Sequence, residues 1–280
     1  MNFIKIKSYA KVNLALNITG KSKGLHKIES LIGFIDLHDV ILLKKIRSKR
    51  HRIIFDGAFS KKIYSNNTIS KLLEILEKKK LLKQKFYIKI TKNIPQKAGF
   101  GGGSMNAASI FKFLIKKKII KVNKKQITKI AENVGSDVIL GMETSHSIFT
   151  SKKKIKTFKN CNRFYTLVIK PNFGCSTKYI YSKVKKFDKP KFNNPTKKMF
   201  NPVFLKNMNN SLEKIALNRY KTLKKIKAYL DNLYKPIFVR MTGSGSAIVS
   251  YYYSKKQCDK ARKQFNKDYK KYWCISSKTI

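Results

Sequence analysis

Three observations predict an α+β fold in two domains. Residues 2–90 carry long, alternating apolar runs with one helical pattern among them. A glycine-rich turn at residues 99–103 then opens straight into a second helical pattern. Beyond a composition change near residues 150–165, helical patterns are followed by a strand pair, a helix and a last strand. Helices combined with a hairpin and a closing strand point to a small layered α+β unit in the second half.

The elements follow in order. Residues 2–18 read as strand, with Val12, Leu14, Leu16 and Ile18 alternating along it. Residues 28–44, rich in Ile and Leu, read as a second strand. Asn67 or Thr68 caps a helix whose apolar face is Ile69, Leu72, Leu73 and Leu76. Phe86 to Ile90 is a strand leading to Pro95 and the glycine loop, and the helix after the loop places Ala107, Phe111, Leu114 and Ile115 on one face. Asn123 followed by Gln126 has the form of a capping box. The helix it starts runs through Ile127, Ile130, Ala131 and Val134 and stops at Gly135.

Ser151-Lys-Lys-Lys154 marks a loop or hairpin, and the domain boundary is placed there, giving domains 1–150 and 151–280. Residues 183–201, rich in Lys, Pro and Asn, read as a solvated loop, and helical patterns lie near 203–232. Pro236–Met241 and Ala247–Tyr253 form a strand pair, residues 255–270 a helix, and Trp273 and Ile275 lie on a final strand. There is no internal repeat.

The formal net charge of +50 invites a nucleic-acid reading. Lysine supplies most of it, spread over every segment. Arginine, the residue suited to bidentate phosphate and base contacts, is confined to Arg47, Arg50, Arg52, Arg163, Arg219, Arg240 and Arg262. Lys, Ile, Asn, Phe and Tyr share A/T-rich codons, so drift in a low-GC genome accounts for the charge with no specific nucleic-acid partner. Selected binding to an acidic surface is the alternative, and weak, salt-sensitive RNA association is expected either way. Cys161, Cys175, Cys258 and Cys274 lack C-x-x-C spacing and read as reduced thiols. His26, His38, His51 and His146 form no metal-ligand pattern. The first residues lack the apolar run of a signal peptide, and no stretch approaches membrane-spanning length, so the expectation is a soluble cytoplasmic protein, monomeric or weakly dimeric.

Four segments can carry chemistry. Pro95-Gln-Lys-Ala-Gly-Phe-Gly-Gly-Gly-Ser-Met-Asn-Ala-Ala108 holds Gly99 and Gly101 to Gly103 ahead of a helix. Glycines let the backbone approach a ligand and turn N–H groups inward, and the helix adds the positive end of its dipole, so the segment suits a polyphosphate. A flexible loop capping a helix is the alternative. Lys11 and Asn13 share one face of an extended strand and need partners or a ligand, unless the strand is an edge with one wet face. Asp137, in Gly135-Ser-Asp-Val-Ile-Leu-Gly141, is one of only 14 acidic residues. It suits a general base held by a lysine, or a turn aspartate bonded to its own backbone. Thr242-Gly-Ser-Gly-Ser246 permits a tight hairpin turn or a close approach to another loop.

Taken in this order, the four segments resemble the GHMP kinase superfamily: Ala10-Lys-Val-Asn-Leu14 its first motif, Pro95–Ala108 its phosphate loop and Met241–Ser246 its third motif. Ile18-Thr-Gly20 followed by Gly24-Leu-His-Lys-Ile-Glu-Ser30 resembles the branch of 4-diphosphocytidyl-2-C-methyl-D-erythritol kinases. The resemblance spans nearly the whole chain. It implies an N-terminal domain like ribosomal S5 domain 2 and a ferredoxin-like C-terminal α/β sandwich. It also implies ATP-dependent phosphorylation, with Mg2+, of a hydroxyl on a cytidine diphosphate-linked substrate.

By that resemblance Asp137 takes the hydroxyl proton and Lys11 pairs with it. Pro95, Gly99, Gly101, Gly102, Gly103, Ser104 and Asn106 belong to the ATP site. Asn13, His26, Tyr181, Gly243 and Ser244 belong to the substrate site, with His26 bonding the cytosine edge and Tyr181 stacking on it. The magnesium ligands are left unassigned. Leu25 stands where the branch usually has a tyrosine, which implies weaker substrate binding. Phe100 and Met105 replace a leucine and a serine of the phosphate loop. The alternatives are another small-molecule kinase of the superfamily, for homoserine or mevalonate, and a degenerate basic binding protein. Retention of Lys11 and Asp137 together speaks against the second.

Overall fold

The computed structural model describes residues 3–22 and 24–280. In chain order its elements are β1 (Ile4–Ser22), β2 (Leu25–Ile46), β3 (Arg52–Asp56), α1 (Thr68–Lys78), β4 (Lys85–Thr91), α2 (Gly102–Lys116), α3 (Lys124–Val134) and α4 (Val138–Gly141). They continue with β5 (His146–Phe149), β6 (Ile155–Phe158), β7 (Tyr165–Lys170), α5 (Thr177–Ser182), α6 (Pro202–Lys206), α7 (Glu213–Arg219) and α8 (Lys221–Asn232). The last are β8 (Phe238–Met241), β9 (Ile248–Tyr252), α9 (Lys255–Asp268) and β10 (Trp273–Lys278). The expected strand start at Asn2 lies outside the described residues.

The chain divides into two compact units. One comprises Met1–Lys11, Leu37–Pro95 and Gly101–Thr144, and the other Val12–Asp36, Gln96–Phe100 and Ser145–Ile280. The division differs from a single cut near residue 150, because β1 and β2 each contribute residues to both units.

In the first unit β4 lies between β3, parallel from Arg52↔Tyr87 to Asp56↔Thr91, and the far part of β2, antiparallel from Val40↔Thr91 to Ile46↔Lys85. Along β4, Phe86, Ile88 and Ile90 are buried while Lys85, Tyr87 and Lys89 are partly exposed, the alternation of a sheet with one face covered. The covering helices close a core of Ile41, Leu43, Phe86, Ile88 and Ile90 against Leu72, Leu76, Phe111 and Leu114. The capping box of α1 joins Asn67 and Ser70, and that of α3 joins Asn123 and Gln126. Gly135 caps the end of α3.

In the second unit the near part of β2 pairs with β5 from Ser30↔Phe149 to Ile32↔Ser147, and β5 with β6 in the hairpin expected around Ser151. The remaining strands form an antiparallel sheet of order β10-β7-β9-β8. With α8 following β7 in the chain and α9 following β9, this is the ferredoxin-like β-α-β-β-α-β arrangement. Its core joins Leu167, Ile169 and Ile248 to Leu223, Ile226, Leu230, Ala261 and Phe265.

The helical patterns expected near 203–232 form three helices, α6, α7 and α8, and between α6 and α7 Leu16 N–H donates to Asn209 O (3.0 Å) and Ser211 N–H to Leu16 O (2.9 Å). One expectation changes here. The 183–201 segment is anchored. Phe192 and Phe200 are buried, residues Lys197–Phe200 form a 3-10 turn, and two carboxylates hold the backbone as described below.

Candidate active site

The first unit holds the helix that follows the glycine loop and an ion pair. Gly101 precedes α2 in the left-handed region (φ 65°), and no side chain caps the helix. The first-turn N–H groups are those an α-helix leaves without an internal partner, and they lie at its positive end. A Cβ on Gly101 would stand 3.2 Å from both Asp137 Oδ2 and Lys11 Cε. The glycine therefore packs directly against the ion pair, where a side chain would intrude.

Lys11 Nζ lies 3.4 Å from Asp137 Oδ2, with the lysine side chain 6% exposed and the aspartate 33%. Asp137 is the N-cap residue of α4 but makes no side-chain cap bond. The carboxylate is thus not the self-bonded turn aspartate that the sequence also allowed. β1 is buried on both faces from Ala10 to Leu16, so the wet edge strand is set aside as well.

Asp39 was missed at the sequence level. It is fully buried and accepts from Lys92 Nζ, Asn93 N–H (2.8 Å), Ile94 N–H (2.8 Å) and Asn106 Nδ2 (2.9 Å). One carboxylate thereby fastens the chain entering the loop and the helix leaving it. Asn106 is itself buried and turns its amide to Asp39. Thr68 Oγ1 donates to Gly103 O (2.7 Å), tying the start of α1 to the first turn of α2. Beside this contact is a cavity of about 460 Å³ walled by Ile53, Phe55, Ile63, Tyr64 and Asn67. Ser104 Oγ lies close to Gly135, 3.7 Å from where a Cβ there would stand. No group of three or more His, Cys, Asp or Glu able to hold a metal lies among the described residues.

In the second unit three motifs meet. Gly99 (φ 85°) lies so close to the third motif that a Cβ would fall 2.0 Å from Thr242 O. Asn13 N–H donates to Thr242 Oγ1 (3.1 Å), Asn13 Oδ1 accepts from Gly243 N–H (2.9 Å), and Asn13 Nδ2 donates to Ser30 Oγ (2.8 Å). Asn210 Nδ2 donates to Met241 O and Gly243 O, both at 2.8 Å, bracing the same turn. Ser244 is buried, its hydroxyl 2.8 Å from that of Thr177 at the start of α5, the helix that carries Tyr181.

The His26 ring centroid stands 5.2 Å from that of Tyr181 and 6.5 Å from that of Phe187. Burial, and then the charge of Lys21, hold the His26 pKa below the ordinary histidine value. The imidazole is therefore neutral near pH 7, with one donor and one acceptor nitrogen for a base edge.

The chain is similar to known proteins in sequence and in fold. Residues 67–149 match the family model of the GHMP kinases N terminal domain. A 4-diphosphocytidyl-2-C-methyl-D-erythritol kinase of Pelagibacter ubique is 59% identical over 281 residues, covering 100% of both chains. One of Clostridium botulinum is 34% identical over 251 residues, 86% of this chain and 88% of its own length. A crystal structure of a 4-(cytidine 5'-diphospho)-2C-methyl-D-erythritol kinase shares the fold with TM-score 0.78 at 21% identity, covering 99% of this chain and 100% of that one. A homoserine kinase from Cytophaga hutchinsonii shares it less closely, with TM-score 0.68 at 16% identity over 100% of this chain and 95% of its own.

Proposed function

The chain belongs to the family of 4-diphosphocytidyl-2-C-methyl-D-erythritol kinases, and from that premise we propose the reaction and the role of each site residue. The enzyme transfers the γ-phosphoryl group of ATP to the 2-hydroxyl of 4-diphosphocytidyl-2-C-methyl-D-erythritol. The products are the 2-phosphate and ADP, and the step belongs to non-mevalonate isoprenoid precursor biosynthesis.

The observation that carries this reading is the contact of Gly101 with both Lys11 and Asp137. It sets the base and its lysine against the loop that cradles the phosphates. Phosphoryl transfer asks the protein mainly for positioning and charge stabilisation. Gly101, Gly102, Gly103 and Ser104 present backbone N–H groups to the phosphates, and Pro95 and Gly99 shape the approach of the loop. Asn106 acts from behind, through Asp39. Asp137 accepts the proton of the acceptor hydroxyl as its oxygen bonds to the γ-phosphorus and the bond to the β–γ bridging oxygen breaks. The Lys11 ammonium holds Asp137 in place. The cavity beside Asn67, walled by Ile53, Phe55 and Tyr64 on one hand and by His51, Ser70 and Glu74 on the other, takes the adenine.

Magnesium fits the donors present. The Ser104 hydroxyl is an oxygen ligand suited to a hard cation whose other contacts fall on phosphate and water, whereas Asp39 has its oxygens committed to four donors. When bound, the cation neutralises charge on the transferring group. In the second unit His26 bonds the cytosine edge and Tyr181 stacks on its face. Asn13, Gly243 and Ser244 form the braced turn that faces the methylerythritol part of the substrate. The reading includes a cytoplasmic protein, monomeric or weakly dimeric; no helix among the described residues is long and apolar enough to cross a membrane.

The test is ADP release by the purified protein with Mg-ATP and each of three acceptors: the cytidylyl substrate, homoserine and mevalonate. Release that depends on the cytidylyl compound is expected. Release with another acceptor alone, or with none, would overturn the assignment.

A further inference from the structure

We propose that Phe187 is a further substrate-binding residue for the cytidylyl acceptor, supplying a second aromatic wall beside His26. The inference rests on the assignment of His26 and Tyr181 to the cytosine. Phe187 leaves 49% of its surface exposed while its ring stands 6.5 Å from the imidazole, tilted by 58°. Tyr181 is the other ring in contact with that imidazole, at 5.2 Å. Leu25, the neighbour of His26 in the chain, is 76% exposed and offers no ring face. Tyr179 is engaged elsewhere, with Lys183 and Arg219 each 5.5 Å from its ring centre.

The position of Phe187 is built and held. The next residue, Asp188, donates its N–H to Ile18 O (2.7 Å), and its Oδ2 accepts from Ile18 N–H (3.1 Å) and Ser211 Oγ (2.5 Å). Slightly further on, the fully buried Glu29 carboxylate accepts the N–H groups of Lys191 (2.7 Å) and Phe192 (3.1 Å) together with Asn17 Nδ2 (2.8 Å). Two of the chain's 14 acidic residues are thus committed to fixing a segment with little regular structure. A ring fixed in advance loses little conformational freedom when a base stacks on it.

The chemistry divides the labour. An aromatic face stacks on any pyrimidine, because every base has a π-face. The imidazole nitrogens instead discriminate by hydrogen bonds. Phe187 therefore contributes affinity for the nucleobase, and His26 the choice of base.

The experiment is steady-state kinetics on Phe187→Ala, Phe187→Leu, Phe187→Tyr and Tyr181→Ala. KM for the cytidylyl acceptor should rise on the order of tenfold in Phe187→Ala, the size expected for loss of one stacked ring. KM for ATP should stay unchanged, which also reports that the variant is folded. Phe187→Tyr should restore the acceptor KM, and Phe187→Leu should not. Normal acceptor KM in Phe187→Ala alongside a raised one in Tyr181→Ala would overturn the proposal, as would full restoration by leucine. A wild-type protein that ignores the cytidylyl acceptor would instead defeat the assigned reaction, and this inference with it.

Discussion

Lys11 Nζ approaches Asp137 Oδ2 to 3.4 Å, and the two side chains differ in exposure, 6% against 33%. The lysine is committed to the protein interior while the carboxylate keeps an open side. Such a pair suits a base that is held in position yet must reach a substrate. Asp137→Asn keeps the shape and removes the proton acceptor. We expect turnover to fall by about 10²–10⁴-fold, the usual range for a positioned general base. Nucleotide binding, followed by titration calorimetry with ATP, should hold. Near-normal turnover in this variant would rule out the proton-acceptor role.

Gly101 and Gly99 sit two residues apart and should fail in different ways when changed to alanine. At Gly101 the new Cβ meets Asp137 Oδ2 and Lys11 Cε at 3.2 Å, side-chain atoms that can shift, in a left-handed conformation costing roughly 1–2 kcal/mol. The fold should survive and kcat should drop as the ion pair is displaced. At Gly99 the Cβ would fall 2.0 Å from a backbone oxygen, that of Thr242, which cannot move without its hairpin. Thermal denaturation should show Gly99→Ala much the less stable of the two. The reverse order would mean that the contacts around the loop are misassigned.

Asp39→Ala removes one carboxylate and strands four donors, including a lysine ammonium that is itself buried. Breaking a buried charge pair from one side costs about 3–5 kcal/mol. Urea denaturation should show a loss of that order, with ATP affinity falling in any protein that remains folded. Asp36→Ala, at an exposed position on the same strand, is the comparison variant and should lose far less.

What the sequence made legible was local. The cap at Asn67, the capping box at Asn123, the alternation around Phe86 to Ile90 and the β8–β9 hairpin are signalled within a few residues, and each forms as expected. Asp137 stood out because an acidic residue is rare in this chain, and Lys11 because it shares a strand face with Asn13. What stayed hidden depends on distant partners. The Lys-, Pro- and Asn-rich segment after α5 has the composition of a solvated loop, yet Glu29, 162 residues before Lys191, orders it. Asp39 lies in an apolar strand, and nothing nearby announces that it accepts from Asn93, 54 residues later. The two units were equally hard to delimit, since β1 and β2 pass through both without a change in composition.

His146 should govern part of the acid sensitivity of the fold. It is 4% exposed, its Nε2 has no hydrogen-bond partner, and Phe200 packs edge-on at 5.1 Å. Burial lowers its pKa from 6.5 to about 4. Below about pH 6.5 the unfolded chain takes up a proton that the folded chain refuses, so stability is lost as the pH falls from 6.5 towards 4. The full difference corresponds to about 3 kcal/mol, of which about 2 kcal/mol falls between pH 7.5 and pH 5. His146→Leu removes the titration, and its stability should decline less than that of the wild type over the same interval, as read by urea denaturation at the two pH values. Parallel declines would show that His146 is not the group responsible. The site assigned to catalysis lies elsewhere in the sequence, so the variant should keep its kinase activity near neutral pH, where the wild-type histidine is already uncharged.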